Sequence, residues 1–330
     1  MNIPYTHESV RLTGRWHCGA RSAVTTATGA YIEFAFRGTM ALAKFDTLEN
    51  AQPYLHLWVQ LDGGNMTEVP LDSYLRVIAK EEGDHLCRII YKGGTEQHRR
   101  WSAPLTGKVS FLGVQTAEPL PLAEDPRKTI EFVGDSITEG VLVDADFAAG
   151  GEALPTCIDQ NFRCYQDDVC GTYAWRIAET LNLRPVFMGY GAVGATRGGC
   201  GGVPDAAAAY PFNFEGSPVT RKNPDYILIN HGTNDGYQPA EVFLPCYAKL
   251  LDQILAMNPS AKLVCVSPFG GAFHTELGEL VRSYNAEHGT DIGYVDTAGW
   301  IPANPVHPLR DGHRAVAERM IPLLREMLKL

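Results

Sequence analysis

Residues 129–140 read Thr129-Ile-Glu-Phe-Val-Gly-Asp-Ser136-Ile-Thr-Glu-Gly140, a short apolar run that ends on glycine and delivers a serine. A brief run of this kind marks a strand buried on both faces of a parallel sheet. Four more follow, at 186–188, 226–229, 263–266 and 292–295. Amphipathic stretches near 168–181, 240–257 and 276–288 lie between them, and a helix over about 312–329 closes the chain. Five strands alternating with helices predict a doubly wound α/β domain. Such sheets bind ligands beyond the carboxyl ends of their strands, which is where Ser136 stands.

The chain ahead of this region has another character. Runs at 31–36, 54–61, 74–79, 86–91 and 109–114 are of β type, and several alternate apolar with polar residues. Asp62-Gly-Gly and Lys92-Gly-Gly supply turns, and no long helical pattern appears. This half reads as an antiparallel β-sandwich over 1–125. Pro119-Leu-Pro-Leu-Ala-Glu-Asp-Pro126 reads as a linker, because repeated proline blocks both helix and ladder. The second domain then covers 126–330.

With 330 residues, 45% of them hydrophobic, the chain can bury two cores. Acidic residues outnumber basic ones 38 to 28, a formal charge of −10 with no Lys/Arg block, which argues against a nucleic-acid partner. No apolar run is long enough to span a bilayer, so no membrane partner is expected. The opening Met-Asn-Ile-Pro-Tyr-Thr-His-Glu lacks the basic and apolar regions of a signal peptide. Eight scattered cysteines suit reduced thiols, and a cytoplasmic location is expected. Cys157, Cys164 and Cys170 cluster without the tight spacing of a zinc site, so no metal is expected there.

Three loops carry chemistry. Gly134-Asp-Ser136-Ile-Thr-Glu-Gly140 is read by itself equally well as a glycine turn with a serine cap. It is not a Gly-x-Ser-x-Gly elbow, since Thr138 stands where glycine is needed. His231-Gly-Thr-Asn234-Asp235 follows the strand at 226–229 and could be an Asx turn or an amide aimed into the crevice. Asn304-Pro-Val-His307-Pro-Leu-Arg-Asp311-Gly-His313 precedes the last helix, so His307 can reach Ser136, whereas His313 at the helix start reads as structural. Gly189-Tyr-Gly-Ala-Val-Gly194-Ala-Thr196 spells a dinucleotide fingerprint, but the glycine-rich 197–204 after it cannot open the required helix. The nucleotide reading is rejected.

In this order, Gly-Asp-Ser, Gly-x-Asn-Asp and a late His-Pro resemble the block pattern of the SGNH (GDSL) hydrolase superfamily over roughly 129–330. The resemblance implies a three-layer α/β/α domain with a five-stranded parallel sheet. It implies Ser136 as nucleophile, His307 as base, and an oxyanion hole made by the N–H groups of Ser136 and Gly194 with the Asn234 amide. No cofactor is implied. The superfamily usually carries aspartate three residues before the histidine; here that residue is Asn304. Either a dyad operates, its ring held by Asn304 or a backbone carbonyl, or a carboxylate such as Asp311 or Asp296 takes over, or activity has decayed.

A jelly-roll-like all-β sandwich ahead of such a domain is similar to carbohydrate esterase family 2, whose members deacetylate plant polysaccharides or oligosaccharides, some with a Ser-His dyad. The resemblance implies an O-acetyl esterase acting on oligosaccharides. A lipase-like esterase or thioesterase, and a non-catalytic carbohydrate-binding protein, are the alternatives. Asp135, Tyr190, Arg197, Tyr237 and Trp300 are candidate substrate contacts, with Phe269 a further aromatic near the strand ends. A small-molecule or oligosaccharide substrate is the expected partner, and the sequence leaves the oligomeric state open.

Overall fold

Period-two patterning folds the N-terminal half into strands. In the computed structural model, which describes residues 1–145, 160–220 and 223–330, this half contains β1 (Asn2–Pro4), β2 (Val10–Thr13), β3 (His17–Cys18), β4 (Ala23–Thr25), β5 (Tyr31–Phe45), β6 (His56–Leu61), β7 (Thr67–Pro70), β8 (Tyr74–Ile78), β9 (Asp84–Gly93) and β10 (Val109–Leu120). All pairs are antiparallel, in one connected sheet of ten strands. Strand β5 runs far past the expected 31–36. Its first half pairs with β2 and β9, and its second half with β8. Strand β10 accompanies both halves, with a register shift between Thr116 and Glu118. Gly38, at φ 121, lies between the halves of β5, in a conformation that side chains other than glycine's resist.

Long strands that bend in this way carry the sheet from one layer of a sandwich to the other. Ile32, Phe34, Phe36, Leu57 and Ile89 thereby share one core with Ala41, Ala43, Val77, Phe111 and Val114. The proline segment expected as a linker begins as strand: Pro119 and Leu120 still pair with Phe36 and Ala35. Among the described residues only β5 pairs with β10 there, and a strand bordered on one side can tolerate a residue with no N–H to give.

The second half forms β11 (Thr129–Gly134), α1 (Ser136–Glu139), α2 (Gln160–Gln166), α3 (Tyr173–Thr180), β12 (Arg184–Gly189), α4 (Ala206–Ala209), the hairpin β13 (Phe212–Phe214) and β14 (Ser217–Pro218), β15 (Tyr226–Asn230), α5 (Ala240–Met257), β16 (Lys262–Val266), α6 (His274–His288), β17 (Gly293–Val295) and α7 (Arg310–Leu328). The five expected strands are all present, parallel, in the order β12-β11-β15-β16-β17. Alternate residues divide between two cores. Phe132, Leu228, Val264 and Val266 pack with α3 and α7, while Val133, Ile227, Ile229 and Cys265 pack with α4, α5 and α6. The domain is therefore the expected three-layer α/β/α.

One residue of the β11 run is charged, and the structure explains it. Arg15, from the N-terminal half, is buried and donates through Nε to Glu131 Oε1 at 2.9 Å. Its Nη1 donates to the carbonyls of Tyr210 and Phe212. The Tyr210 hydroxyl also donates to Glu131. Separating the halves would take the buried Arg15 guanidinium away from Glu131, so this ion pair favours their docking.

Candidate active site

Gly134 ends β11 and the chain turns at once into α1, a single turn of helix. Asp135 caps that turn, its Oδ1 accepting from Ile137 N at 3.0 Å, and Gly140 ends it at φ 96. A Cβ on Gly140 would lie 2.6 Å from the backbone of Asp168, so glycine is required on two counts. Ser136 is therefore held at the first helical position, at the carboxyl end of the central part of the sheet.

His307 reaches it from the loop after β17. His307 Nε2 lies 2.8 Å from Ser136 Oγ. Three residues on, Arg310 anchors the loop: its guanidinium donates to Asp144 at 2.7 and 2.6 Å and to Asp168 at 2.6 Å, and its N–H donates to the Val143 carbonyl. Asp168 also accepts from Trp58 Nε1 of the β-domain. Burial, followed by the nearby Arg163 charge, pushes the His307 pKa down to about 4, with Glu96 opposing. The imidazole is neutral at pH 7 and ready to accept a proton.

No carboxylate completes the pair among the described residues. Asn304 is exposed and makes no bond to His307. Asp311 is exposed and pairs with Arg314, while Asp296 accepts from Ala298 N, Ser267 Oγ and His274. The expected alternatives for an orienting group at Asn304, Asp311 and Asp296 are all absent from this geometry.

The oxyanion donors are unequal. The Ser136 N–H has no acceptor among the described residues. Asn234 Nδ2 donates one hydrogen to the Val193 carbonyl at 3.0 Å, which aims the amide and leaves its second hydrogen over. The Gly194 N–H, expected as the third donor, instead bonds the Arg197 carbonyl at 2.9 Å. Asp235 fixes the same loop by accepting from Ala195 N, Thr196 N and Thr196 Oγ1. Beside these loops lies a cavity of about 200 Å³, lined by Thr233, Pro268, Gly270, Ala272, Ala303 and Val306. A larger one, about 740 Å³, lies around Lys262 and Asp291 at the amino ends of β16 and β17, away from the chemistry.

Several expected substrate contacts are corrected. Tyr190 is buried, its hydroxyl bonded to Thr26 Oγ1 and the Asn213 carbonyl. Asp135 is wholly buried as the cap of α1, and burial raises its pKa to about 7. Phe269 is core, packed edge-on against Tyr173. Arg197 and Tyr237 are exposed on loops at this end of the sheet, and Trp300 is half-buried against the α3–α7 core. His313 is buried, its Nδ1 accepting from Tyr173 N at 3.1 Å, a structural role as expected.

The sequence did not single out Arg163 of α2, or Glu96 and Arg100 of the N-terminal half, because nothing in their local sequence announces that they approach His307 or Glu139. Among the described residues, no group of three or more His, Cys, Asp or Glu side chains could hold a metal, and no helix is long and apolar enough to cross a membrane. Cys157 lies outside the described residues. The other seven cysteines are free.

Residues 132–315 match the GDSL-like Lipase/Acylhydrolase family. The chain is 23% identical over 342 residues to an acetylxylan esterase / glucomannan deacetylase of Cellvibrio japonicus (strain Ueda107), covering 97% of this chain and 89% of that protein. It superposes on a family two carbohydrate esterase from Cellvibrio japonicus with a TM-score of 0.81 at 19% identity, covering 100% of this chain and 98% of that one. For an acetyl xylan esterase, Est2A, from the rumen bacterium Butyrivibrio proteoclasticus, the TM-score is 0.79 at 16% identity, with coverage of 100% and 99%. Its fold, its ordered motifs and the family match over more than half its length together show that the chain belongs to the GDSL-like lipase/acylhydrolase family and is a carboxylic ester hydrolase.

Proposed function

We propose that this protein removes O-acetyl groups from oligosaccharides through an acyl-enzyme on Ser136. The observation that carries the mechanism is the 2.8 Å contact between Ser136 Oγ and His307 Nε2 at the mouth of the sheet. The acetylated-carbohydrate substrate is supported by the likeness over both domains to a deacetylase of xylan and glucomannan.

A serine hydroxyl becomes nucleophilic when a base takes its proton as it attacks. His307, neutral through burial, takes that proton while Oγ bonds the acetyl carbon. The carbonyl electrons move onto oxygen, and the Ser136 N–H and the Asn234 amide stabilise the oxyanion. When the tetrahedral intermediate collapses, His307 gives the proton to the departing sugar oxygen and leaves acetyl on Ser136. Water then enters; His307 takes its proton, and acetate leaves with Ser136 restored. Every proton passes through one imidazole, so a dyad is sufficient if the loop fixes the ring. In this reading Arg310 does so indirectly, by holding the His307 loop against Asp144 and Asp168.

We assign the β-domain to 1–125 and the hydrolase domain to 126–330. The free thiols support a cytoplasmic location and thus an imported oligosaccharide as substrate. Acetate release from acetylated manno- and xylo-oligosaccharides, comparing wild type with Ser136→Ala, tests the proposal. Release that vanishes in the variant is expected. Turnover only of longer acyl esters would replace the deacetylase reading with a lipase-like one, and sugar binding without turnover would replace both.

A further inference from the structure

The β-domain touches the active-site loops directly. Arg100 N and Trp101 N both donate to the Gly201 carbonyl, at 2.9 and 3.2 Å. A Cβ on Gly201 would stand 2.7 Å from the His98 carbonyl oxygen, so glycine is what lets the two backbones meet. The Arg100 guanidinium is buried against the Glu139 carboxylate, at the end of the helical turn that Ser136 opens. It also lies 5.4 Å above the Tyr190 ring. Backbone bonds and a buried ion pair thus fix the segment 94–101 against the oxyanion loop and the nucleophile turn.

Glu96 sits in this docked segment and differs from the acids around it. Glu139 and Asp167 are buried and engaged, whereas the Glu96 side chain is 31% exposed. Among the described residues, its side chain accepts one hydrogen bond, a long contact of 3.4 Å from Arg163 Nη1. Arg163 is held more firmly by Asp167, through Nε at 3.2 Å and Nη2 at 3.3 Å. Glu96 Oε1 accepts no bond among the described residues. That oxygen lies 3.4 Å from where a Cβ on Gly191 would be, in the loop that leads to Gly194 and Thr196. Arg163 and Glu96 are also the charged groups that act on the His307 ring.

We propose that Glu96 is a substrate-binding residue supplied by the β-domain, its free carboxylate oxygen accepting a hydrogen bond from a sugar hydroxyl near the acetylated position. The inference rests on the deacetylase reading above. A hydroxyl donating to a carboxylate makes a short, charge-assisted bond, stronger than one to a neutral acceptor. The same charge, near the reacting ester, disfavours substrates whose neighbouring sugar is a uronate, since like charges repel. The β-domain would then be part of the active site rather than a separate sugar-binding module.

The test compares wild type, Glu96→Gln and Glu96→Ala on acetylated xylo-oligosaccharides and on 4-nitrophenyl acetate, which has no sugar hydroxyl. In Glu96→Ala the loss of kcat/KM on the oligosaccharide should exceed the loss on the aryl ester by about tenfold or more, carried mainly by KM. Glu96→Gln should recover part of it, because an amide oxygen still accepts. Equal losses on both substrates with a lowered melting temperature would assign Glu96 to domain docking and overturn the proposal. No loss on either substrate would overturn it as well. Wild-type release of acetate alongside either result sinks this inference alone; absence of release from every oligosaccharide sinks the deacetylase reading and this inference with it.

Discussion

His307 Nε2 stands 2.8 Å from Ser136 Oγ across 171 positions of sequence, and no described carboxylate lies behind the ring. Asn304, which occupies the position where the superfamily usually has aspartate, is exposed and does not touch it. Asn304→Ala should therefore keep kcat/KM within about threefold of wild type, as surface changes usually do. His307→Ala should lose about 10³-fold or more. Steady-state kinetics on an aryl acetate would decide it, and equal losses would make Asn304 the orienting group.

The His307 pKa, pushed down to about 4 first by burial and then by Arg163, sets the acid side of the pH profile. The neutral ring is the active form, so kcat/KM should fall as pH drops through about 4 and stay level from there toward neutrality. A limb near about 6.5 would mean a ring solvated like a free histidine. A kcat/KM profile from pH about 3 to 8 separates the two.

Asn234→Ala removes an amide that the Val193 carbonyl has already aimed. Its kcat should fall by about 10²–10³-fold, as for loss of one oxyanion donor, with little change in KM. A loss confined to KM would place the amide on ground-state substrate instead.

Gly194→Ala should act through Asp235. A Cβ at Gly194 would lie 2.6 Å from both carboxylate oxygens of Asp235, which hold Ala195 and Thr196. Overpacking of this kind costs about 1–3 kcal/mol. Chemical denaturation should show that loss, and activity should fall because the loop beside Asn234 moves. Wild-type stability with normal activity would show that the loop can yield.

Arg15→Met removes one of the groups bonded to Glu131 inside β11 and leaves Tyr210 among those that remain. Losing one hydrogen bond to a charged group in a buried cluster costs about 1.5–3 kcal/mol. A guanidinium unfolding curve read by tryptophan fluorescence should show a midpoint shift of that size. A shift under about 1 kcal/mol would mean that the docked halves relax around the gap.

The sequence by itself determined the five parallel strands and the longer helices of the hydrolase domain, and named its candidate chemical groups, but not α2, α4 or the β13–β14 hairpin. Period and polarity are local properties, and they suffice where a strand is buried on both faces or a helix on one. The helix at 240–257 was legible to the residue, as were strands β11, β15 and β16 to within about one residue. The serine, asparagine and histidine were legible because their loops follow strand ends in a set order. Tertiary structure decided what each side chain meets. Tyr190 sits at a strand end yet lies in the core, because Thr26 and Asn213 bond its hydroxyl. Strand β5 continues through Gly38 because β8 and β10 receive it, which no periodicity within 31–45 reveals. Glu96 approaches the crevice only because Gly201 lets the segment 94–101 dock on a loop about a hundred residues away. Local pattern states which faces must be buried and which groups can react; packing between distant segments, which obeys sterics and charge pairing, assigns their partners.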